Sequence, residues 1–356
     1  MKILVTGICG FVGSSLAKAW RDAAADISIY GLDNLSRPGS ERNRHHLKKL
    51  GIKLFHGDIR LASDFETLPP VDWVIDAAAN PSVLAGVEGT TSSRQLIEHN
   101  LLGTVNILEY CKQHHAGFIL LSTSRVYSIT SLADIDVERI GRAFHIKKHQ
   151  QLPIGISPSG VREDFSTSPP ISLYGSSKLA SEVLAMEYGG TFDFPVWINR
   201  CGVMAGAGQF GRPDQGIFAY WINAWLRRYP LRYIGFGGDG YQVRDCFHPR
   251  DLISLLQKQT STGAAKTTRI LNMGGGIENA ISLAELSDWC ADRFGTRKVG
   301  KVPDVRRFDI PWLVMDHSLA TDIWGWKPQT SLNAILNEIA LHAEQNPNWL
   351  EISGVE

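Results

Sequence analysis

Short apolar runs and segments of helical spacing alternate along the chain from its first residues. Ile3, Leu4 and Val5 form an unbroken apolar run that ends at Gly7. A run without polar alternation suits a strand covered on both faces, as in a parallel sheet. Phe11 to Trp20 follows, with Val12, Leu16 and Ala19 along one helical face. Ile27 to Leu32 is the next apolar run and stops at Asp33. The alternation then repeats, with a helix over about Glu41–Leu50, strands at Lys53–Phe55 and Trp73–Ala79, and a loop from Asn80 to Gly89. Ser92 or Ser93 caps a long helix that reaches about His114, and Gly117–Ser122 is a fifth strand. A helix from Tyr174 to about Tyr188 and a sixth strand at Phe194–Arg200 close the series. Such alternation predicts an α/β fold of Rossmann type, a doubly wound parallel sheet with helices on both faces.

The rhythm breaks in two places. Residues 128–168 show no clear period and read as a long insertion, which in a compact domain is usually functional or mobile. After residue 200, glycine, proline and aromatic residues become frequent, and helices are predicted at Gly216–Arg228, Asp251–Lys258, Leu283–Phe294 and Leu332–Glu344. The expected division is residues 1–200 as the sheet domain and 201–356 mostly as a smaller C-terminal substrate-binding portion. That portion would lie over the carboxyl ends of the strands, where ligands bind in such sheets.

The first turn brings in chemistry. Gly7, Gly10 and Gly13 recur at intervals of three. A bare turn lets a pyrophosphate approach the backbone, and the first amides of the helix point at its charge. Gly13 lets the helix lie close on the strand. Asp33 stands 20 residues past Gly13, where a carboxylate binds the adenine-ribose hydroxyls. It would repel a 2′-phosphate, which favours NAD over NADP. Arg37 argues the other way, because an arginine there can accept that phosphate. Cys9 fits the turn as a small residue, although a helix N-terminus can also lower a thiol pKa.

Composition narrows the partners. Lys and Arg number 36 against 36 Asp and Glu, so no net charge points to nucleic acid or to an anionic membrane. No segment is long and apolar enough to span a bilayer, and the first residues read as a strand, not a signal peptide. Cys9, Cys111, Cys201, Cys246 and Cys290 are widely spaced, as suits reduced thiols in a cytoplasmic protein. The histidines show no zinc-ligand spacing, so no metal is expected.

Reactive side chains lie in a pair of segments. Leu121-Ser122-Thr123-Ser124-Arg125-Val126-Tyr127 ends the fifth strand, and Tyr174-Gly175-Ser176-Ser177-Lys178 opens a helix. Tyr174 and Lys178 share a helix face, with Cβ atoms about 5–6 Å apart. An ammonium there would stabilise a phenolate, as would the positive ring of an oxidised nicotinamide. Tyrosine starts near ~10, and each unit of depression needs ~1.4 kcal/mol. Tyr174 then serves as a general base near neutral pH, while Thr123 holds the substrate oxygen and shares its proton.

With the spacing G-x-x-G-x-x-G, the threonine-bearing fifth strand and Tyr-x-x-x-Lys, the chain resembles the extended short-chain dehydrogenases/reductases that act on nucleotide sugars. The resemblance to this epimerase/dehydratase family covers nearly the full length. It implies NAD, a nucleotide-sugar substrate, and transient oxidation to a keto sugar with hydride return to the opposite face. Thr123, Tyr174 and Lys178 are the implied catalytic residues. The implied cofactor site comprises Gly7, Cys9, Gly10, Phe11, Val12, Gly13, Asp33, Asn34, Ser36, Arg37, Asp58, Ile59, Ala77, Ala78, Ala79, Asn100, Ser122, Tyr174, Lys178 and Cys201. Around the substrate the resemblance implies Pro81, Ser124, Arg125, Asn199, Gln209, Gln215, Gln242, Arg244 and Arg307, with the Arg244 guanidinium on the diphosphate. It also implies a homodimer, through a four-helix bundle of the Ser92–His114 helix and the helix after Tyr174.

Within the family, several segments are similar to the 2-epimerases of CDP-paratose (CDP-tyvelose). They are Gly57-Asp58-Ile59-Arg60, Gln209-Phe210, Asp214-Gln215-Gly216 and Gln242-Val243-Arg244-Asp245. This likeness implies a CDP-linked dideoxyhexose inverted at C2. UDP-sugar 4-epimerases share the core residues and stay open as an alternative. Related 4,6-dehydratases carry Asp and Glu directly after the threonine, where this chain has Ser124 and Arg125. Asp76-Ala77-Ala78 stands in place of the family's His-Leu-Ala, and Ala205-Gly206-Ala207-Gly208-Gln209 in place of Tyr-Gly-x-Arg-Gln. These departures support a rival from another class, a catalytically silent NAD-binding regulatory or scaffold protein. The intact Thr123, Tyr174 and Lys178 count against it. Trp221 and Trp225 share a helix face and either line the pocket or pack. The basic run Arg142 to His149 reads as a solvated loop, or as a cover over the nucleotide.

Overall fold

The apolar run at the N-terminus is the middle of a parallel sheet. In the computed structural model, which describes residues 1–356 apart from 25, 88–90, 149–150, 263–267, 305–306 and 356, β1 (Lys2–Thr6) pairs with β2 (Ser28–Asp33). Next to β2 lies β3 (Lys53–His56). On the other side of β1 come β4 (Trp73–Asp76), β5 (Gly117–Thr123), and then the strands Val196–Cys201 and Ile270–Met273. Alternate residues of β1 enter opposite layers. Ile3 and Val5 pack with Leu16 and Trp20 of α1 (Phe11–Ala23), while Leu4 packs with Val74, Phe118 and Leu120. Strand order reverses at β1, so a crevice opens over the carboxyl ends of β1 and β4.

The helices follow the predicted spacing, with ends moved by capping. A turn and α2 (Asn43–Lys49) lie between β2 and β3. Ser92 caps α3 (Ser93–Ile97) in a reciprocal box with Gln95. A π turn at Glu98–Leu102 then leads into α4 (Gly103–His114). The insertion begins with α5 (Ile129–Ala133), and α6 (Ser172–Phe192) carries Tyr174 and Lys178.

Residues 128–168 hold more regular structure than their pattern suggested. Val137–Ile140 and Ala143–Ile146 form a hairpin, and Ile156–Ser157 pairs with Gly160–Val161. These strands are too short to show a period. Leu132, Ala143, Val161 and Phe165 share a core with Val243 and with Trp312 to Met315, so the insertion ties the two lobes together. Arg142 pairs with Asp288 at 2.7 Å, and Phe144 packs edge-on against Phe236 and Tyr241. The basic run is mostly a strand docked through Ala143 and Phe144, and its basic side chains Arg142, His145, Lys147 and Lys148 are exposed, as expected of a solvated segment. Gly89 and His149, the ends of the predicted loop and run, lie outside the described residues.

The C-terminal lobe gathers the helices Ile217–Leu226, Leu283–Phe294 and Leu332–Gln345 around Trp221, Trp225, Leu286, Leu336 and Ile339. Trp225 packs, its Nε1 donating to Gly295 O at 3.1 Å. Trp221 stacks on Tyr233 at 5.6 Å and also reaches the cavity described below. The seventh strand, Ile270–Met273, and the helix Ile253–Thr262 that covers it return from beyond residue 200 to the sheet.

Candidate active site

The glycine turn is a cradle built without side chains. Gly7 has φ of +63°, and a Cβ there would lie 2.9 Å from Ala78 Cα. A Cβ on Gly13 would overlap Gly7 O and lie 2.7 Å from Ile8 Cα, so α1 can only sit this close with glycine. No side chain caps α1, which leaves its first amides open beside a cleft of about 560 Å³. Asp33 stands at the lip of that cleft. Its Oδ2 accepts from Cys9 N and its Oδ1 from Leu35 N, each at 2.8 Å. Burial pushes its carboxyl up despite these bonds.

Most residues expected at the cofactor line this cleft: Gly7, Gly10, Phe11, Val12, Gly13, Asp33, Asn34, Ser36, Arg37, Ile59, Ala77, Ala78, Ala79, Ser122 and Tyr174. Arg37 is engaged within the protein, donating to Gln215 Oε1 at 2.7 Å and to Phe210 O. Cys9 and Asp58 do not line the cleft. Burial pushes the Cys9 thiol up to about 12, so the helix start does not activate it. Asp58 accepts from Arg60 Nε at 2.9 Å, Arg60 Nη2 at 2.6 Å and Asn34 Nδ2 at 2.9 Å, which holds its carboxyl well below the usual range. Asn100 also stands back. Its amide accepts from Asn80 N at 2.8 Å and donates to Ser177 Oγ at 3.1 Å, which anchors the cleft loop to α6.

Three strand and helix ends bring the reactive groups together. Thr123 Oγ1 accepts from Arg125 N at 3.1 Å and lines the same cavity as Tyr174. Gly175 lies so close to Arg125 O that no Cβ fits, which presses the start of α6 onto the turn after β5. Lys178 is 2% exposed and makes no hydrogen bond among the described residues. Its burial lowers its pKa, opposed by the Asp76 and Glu182 carboxylates. Burial likewise raises the Tyr174 pKa, opposed by the Thr123 hydroxyl and the Arg125 charge. The expected depression of Tyr174 by Lys178 is therefore not what this arrangement produces. The acting cation is Arg125, and desolvation outweighs it.

A second cavity, of about 640 Å³, adjoins the cleft along Tyr174, Ser122, Pro81, Gln209 and Gln215. Ser124, Arg125, Cys201, Gln242, Arg244 and Arg307 face it, with an apolar wall that includes Phe218, Trp221 and Leu231. Arg244 Nη2 meets Asp309 Oδ1 at 3.2 Å and Ile310 O at 2.8 Å, and Gln242 Nε2 meets Asp309 Oδ2 at 3.3 Å. Burial and the nearby Arg125 push the Arg244 pKa down to about 10. Asp309 was not foreseen, since it pairs across 65 residues without a motif of its own. Asn199 does not reach either cavity. It exchanges amide hydrogen bonds with Gln259 at 3.1 and 3.0 Å, because alternation along Val196–Cys201 turns it toward the helix Ile253–Thr262. Its neighbour Arg200 turns toward α6 instead and grips Glu182 at 2.7 Å. Glu182 was also missed, although the four-residue steps Tyr174, Lys178, Glu182 place it on the same face of α6.

These residues fit a dinucleotide. The cradle excludes a Cβ at Gly7 and Gly13, an uncapped helix points at it, and Asp33 waits at the ribose spacing. Residues 3–274 match the NAD dependent epimerase/dehydratase family. The chain belongs to this family. It is an NAD-dependent enzyme of the nucleotide-sugar epimerase type. A CDP-paratose 2-epimerase of Salmonella typhi is 30% identical over 340 residues, covering 93% of this chain and 96% of that protein. A UDP-glucuronate 4-epimerase of Thermodesulfobacterium geofontis is 26% identical over 361 residues, covering 96% of each. The crystal structure of a UDP-glucuronic acid 4-epimerase from Bacillus cereus, in complex with UDP-glucuronic acid and NAD, matches with a TM-score of 0.77 at 25% identity. That match covers 97% of this chain and 99% of the other.

The departures from the epimerase pattern now have places. Asp76, where the family usually has histidine, is buried under the glycine turn and accepts from Thr6 Oγ1 at 2.7 Å. Gln209 donates to Met204 O at 2.8 Å and lines both cavities without the missing arginine. The Asp76 carboxylate acts on the Lys178 ammonium and favours its charge.

Proposed function

We propose that this epimerase inverts C2 of a CDP-linked dideoxyhexose. The observation that carries an epimerase reading is the position of Tyr174 at the junction of the cofactor cleft and the substrate cavity. The likeness to the Salmonella typhi 2-epimerase over 93% of the chain supports the sugar and the carbon. Bound NAD supplies a reversible hydride acceptor. Tyr174 takes the proton of the sugar hydroxyl as the carbon is oxidised, and returns it after the keto sugar has presented its other face. Thr123 holds that oxygen, and Lys178 stands one turn of α6 from Tyr174. Arg244 anchors the diphosphate, while Ser124 and Arg125 provide no acid for dehydration. A second reading, a UDP-sugar 4-epimerase, is supported by the structural match to the Bacillus cereus enzyme.

Proton NMR of the purified protein with CDP-, UDP- and GDP-linked sugars, without added NAD, tests these readings. Inversion at C2 of a CDP-dideoxyhexose is expected. Inversion at C4 of a UDP-sugar would move the assignment to the second reading. No conversion by NAD-containing protein would favour a silent binding module.

Further outcomes follow from single residues. Arg244→Ala leaves Asp309 without its cation and the diphosphate without its anchor. Loss of one partner from such a pair costs about 2–5 kcal/mol, so KM should rise about 30-fold or more. A KM within about threefold of wild type would place the diphosphate elsewhere. Arg125→Met removes a charge that lowers the Tyr174 pKa. The rising limb of kcat against pH should therefore move to higher pH, and an unmoved limb would show that Arg125 does not act on the base.

We also place the protein in the cytoplasm, a reading supported by five buried, free cysteines. A homodimer is supported by apolar side chains left outward on the α3–α6 side, among them Leu102, Leu173 and Val183, the last 57% exposed. Sedimentation of Val183→Glu as a monomer, against a wild-type dimer, is the expected outcome.

A further inference from the structure

We propose that residues 209–216 form a strap across the dinucleotide cleft, pinned by Ser82 with Asp214 and by Arg37 with Gln215, which holds the cofactor in place from one turnover to the next. The strap is bounded by Gly208 and Gly216, whose φ angles of +79° and +71° let the chain bend at either end. Its tip is a tight turn. Arg212 N donates to Gln215 O at 2.7 Å and Gln215 N to Arg212 O at 3.1 Å, which leaves Pro213 and Asp214 at the apex. Its foot is fixed to the end of the chain, with Trp349 Nε1 donating to Gln209 O at 2.9 Å and Arg212 Nε to Ser353 O at 2.6 Å.

The pins come from opposite ends of the cleft. Ser82, in the loop after β4, donates to Asp214 Oδ2 at 2.8 Å. Arg37, in the loop after β2 on the adenosine side, donates to Gln215 Oε1 at 2.7 Å. Between β2 and β4 lies β1, and the glycine cradle is at its end. A segment tied to the loops on both sides therefore arches over the cradle, where a pyrophosphate would lie. Phe210, Arg212, Asp214 and Gln215 line the cleft accordingly. Both pins join side chain to side chain. Rotation of those side chains frees the tip without breaking a backbone pairing, so the strap can open. Each pin has one charged partner, which makes it stronger than a neutral hydrogen bond. An epimerase returns hydride to the same NAD that accepted it, so a cover that slows exchange of the cofactor does not slow turnover. Neither Ser82 nor Asp214 has a part in the proton or hydride transfer described above.

This inference rests on the reading of the cleft as the NAD site, and not on which sugar is inverted. Its test is stopped-flow binding of NADH, followed by its fluorescence, to the full-length protein stripped of nucleotide, with release measured by a chase of excess NAD. A cover must open for entry and for exit, so loosening it speeds both, whereas loss of a direct contact acts mainly on release. Ser82→Ala should raise the association and release rates about tenfold each, the worth of one charge-assisted hydrogen bond, and leave the dissociation constant within about threefold of wild type. Gln215→Ala should do the same through the other pin, and the double variant should exceed either. Faster release with unchanged association in both single variants, or no change in either rate, overturns the strap. Wild-type protein that binds no NADH overturns the cofactor reading of the cleft, and this inference with it.

Discussion

Tyr174→Phe is expected to lower turnover by about 10²–10⁴-fold, the usual worth of a positioned proton-transfer group. The change removes one oxygen and keeps the ring. Packing of α6 on the turn after β5 depends on Gly175 against Arg125 O, which the substitution leaves alone. The glycine cradle and Asp33 lie on other elements, so bound NAD should be retained. Turnover by NMR and NAD released on denaturation measure both effects in one preparation. Thr123→Val should be less severe, since it leaves the base in place. A Tyr174→Phe rate within threefold of wild type would assign the proton transfer to another group.

Glu182→Ala is expected to cost about 3–5 kcal/mol of stability, as removal of one partner of a buried ion pair does. Glu182 and Arg200 are 2% and 5% exposed. Arg200 Nε and Nη2 reach Glu182 Oε2 at 3.1 and 2.7 Å, and Ser122 Oγ donates to Oε1 at 2.5 Å. Arg200 also donates to Tyr127 Oη at 3.3 Å and to Glu163 O at 3.2 Å, neither of them a carboxylate. Without Glu182 a guanidinium stays buried with only these neutral acceptors. Urea unfolding monitored by tryptophan fluorescence measures the loss, and a cost below about 1 kcal/mol would show that water reaches Arg200. The pair also joins α6, β5 and the strand Val196–Cys201 one turn below Lys178. A smaller loss of stability with a large fall in kcat would make Glu182 chiefly a positioning residue.

Local features were legible because each depends on neighbours in the chain. The strand, glycine turn and helix of residues 2–23 follow from an apolar run, three glycines and a period. Ser92 with Gln95 and Ser282 with Glu285 mark helix starts through hydrogen bonds three residues long. Thr123, Tyr174 and Lys178 were proposed for the same reason, as was Arg244 in its motif.

Other features answer to groups far away in sequence. The Arg200 and Asn199 side chains differ only in which face of one strand they occupy, and pairing with β5 decides that. Asp58 looks free until Arg60 and Asn34 close on it. The Asp309 partner of Arg244, the docking of residues 128–168 on the C-terminal lobe, and the burial that raises Tyr174 each need segments brought together by the fold. The sequence by itself determined the parallel α/β frame, the glycine turn and the placing of Tyr174 and Lys178 on one helix face, because hydrophobic period, turn chemistry and helix spacing are short-range. Which polar groups remain free to meet a ligand was decided only by the tertiary structure, because hydrogen bonding and desolvation depend on every atom that folding brings near.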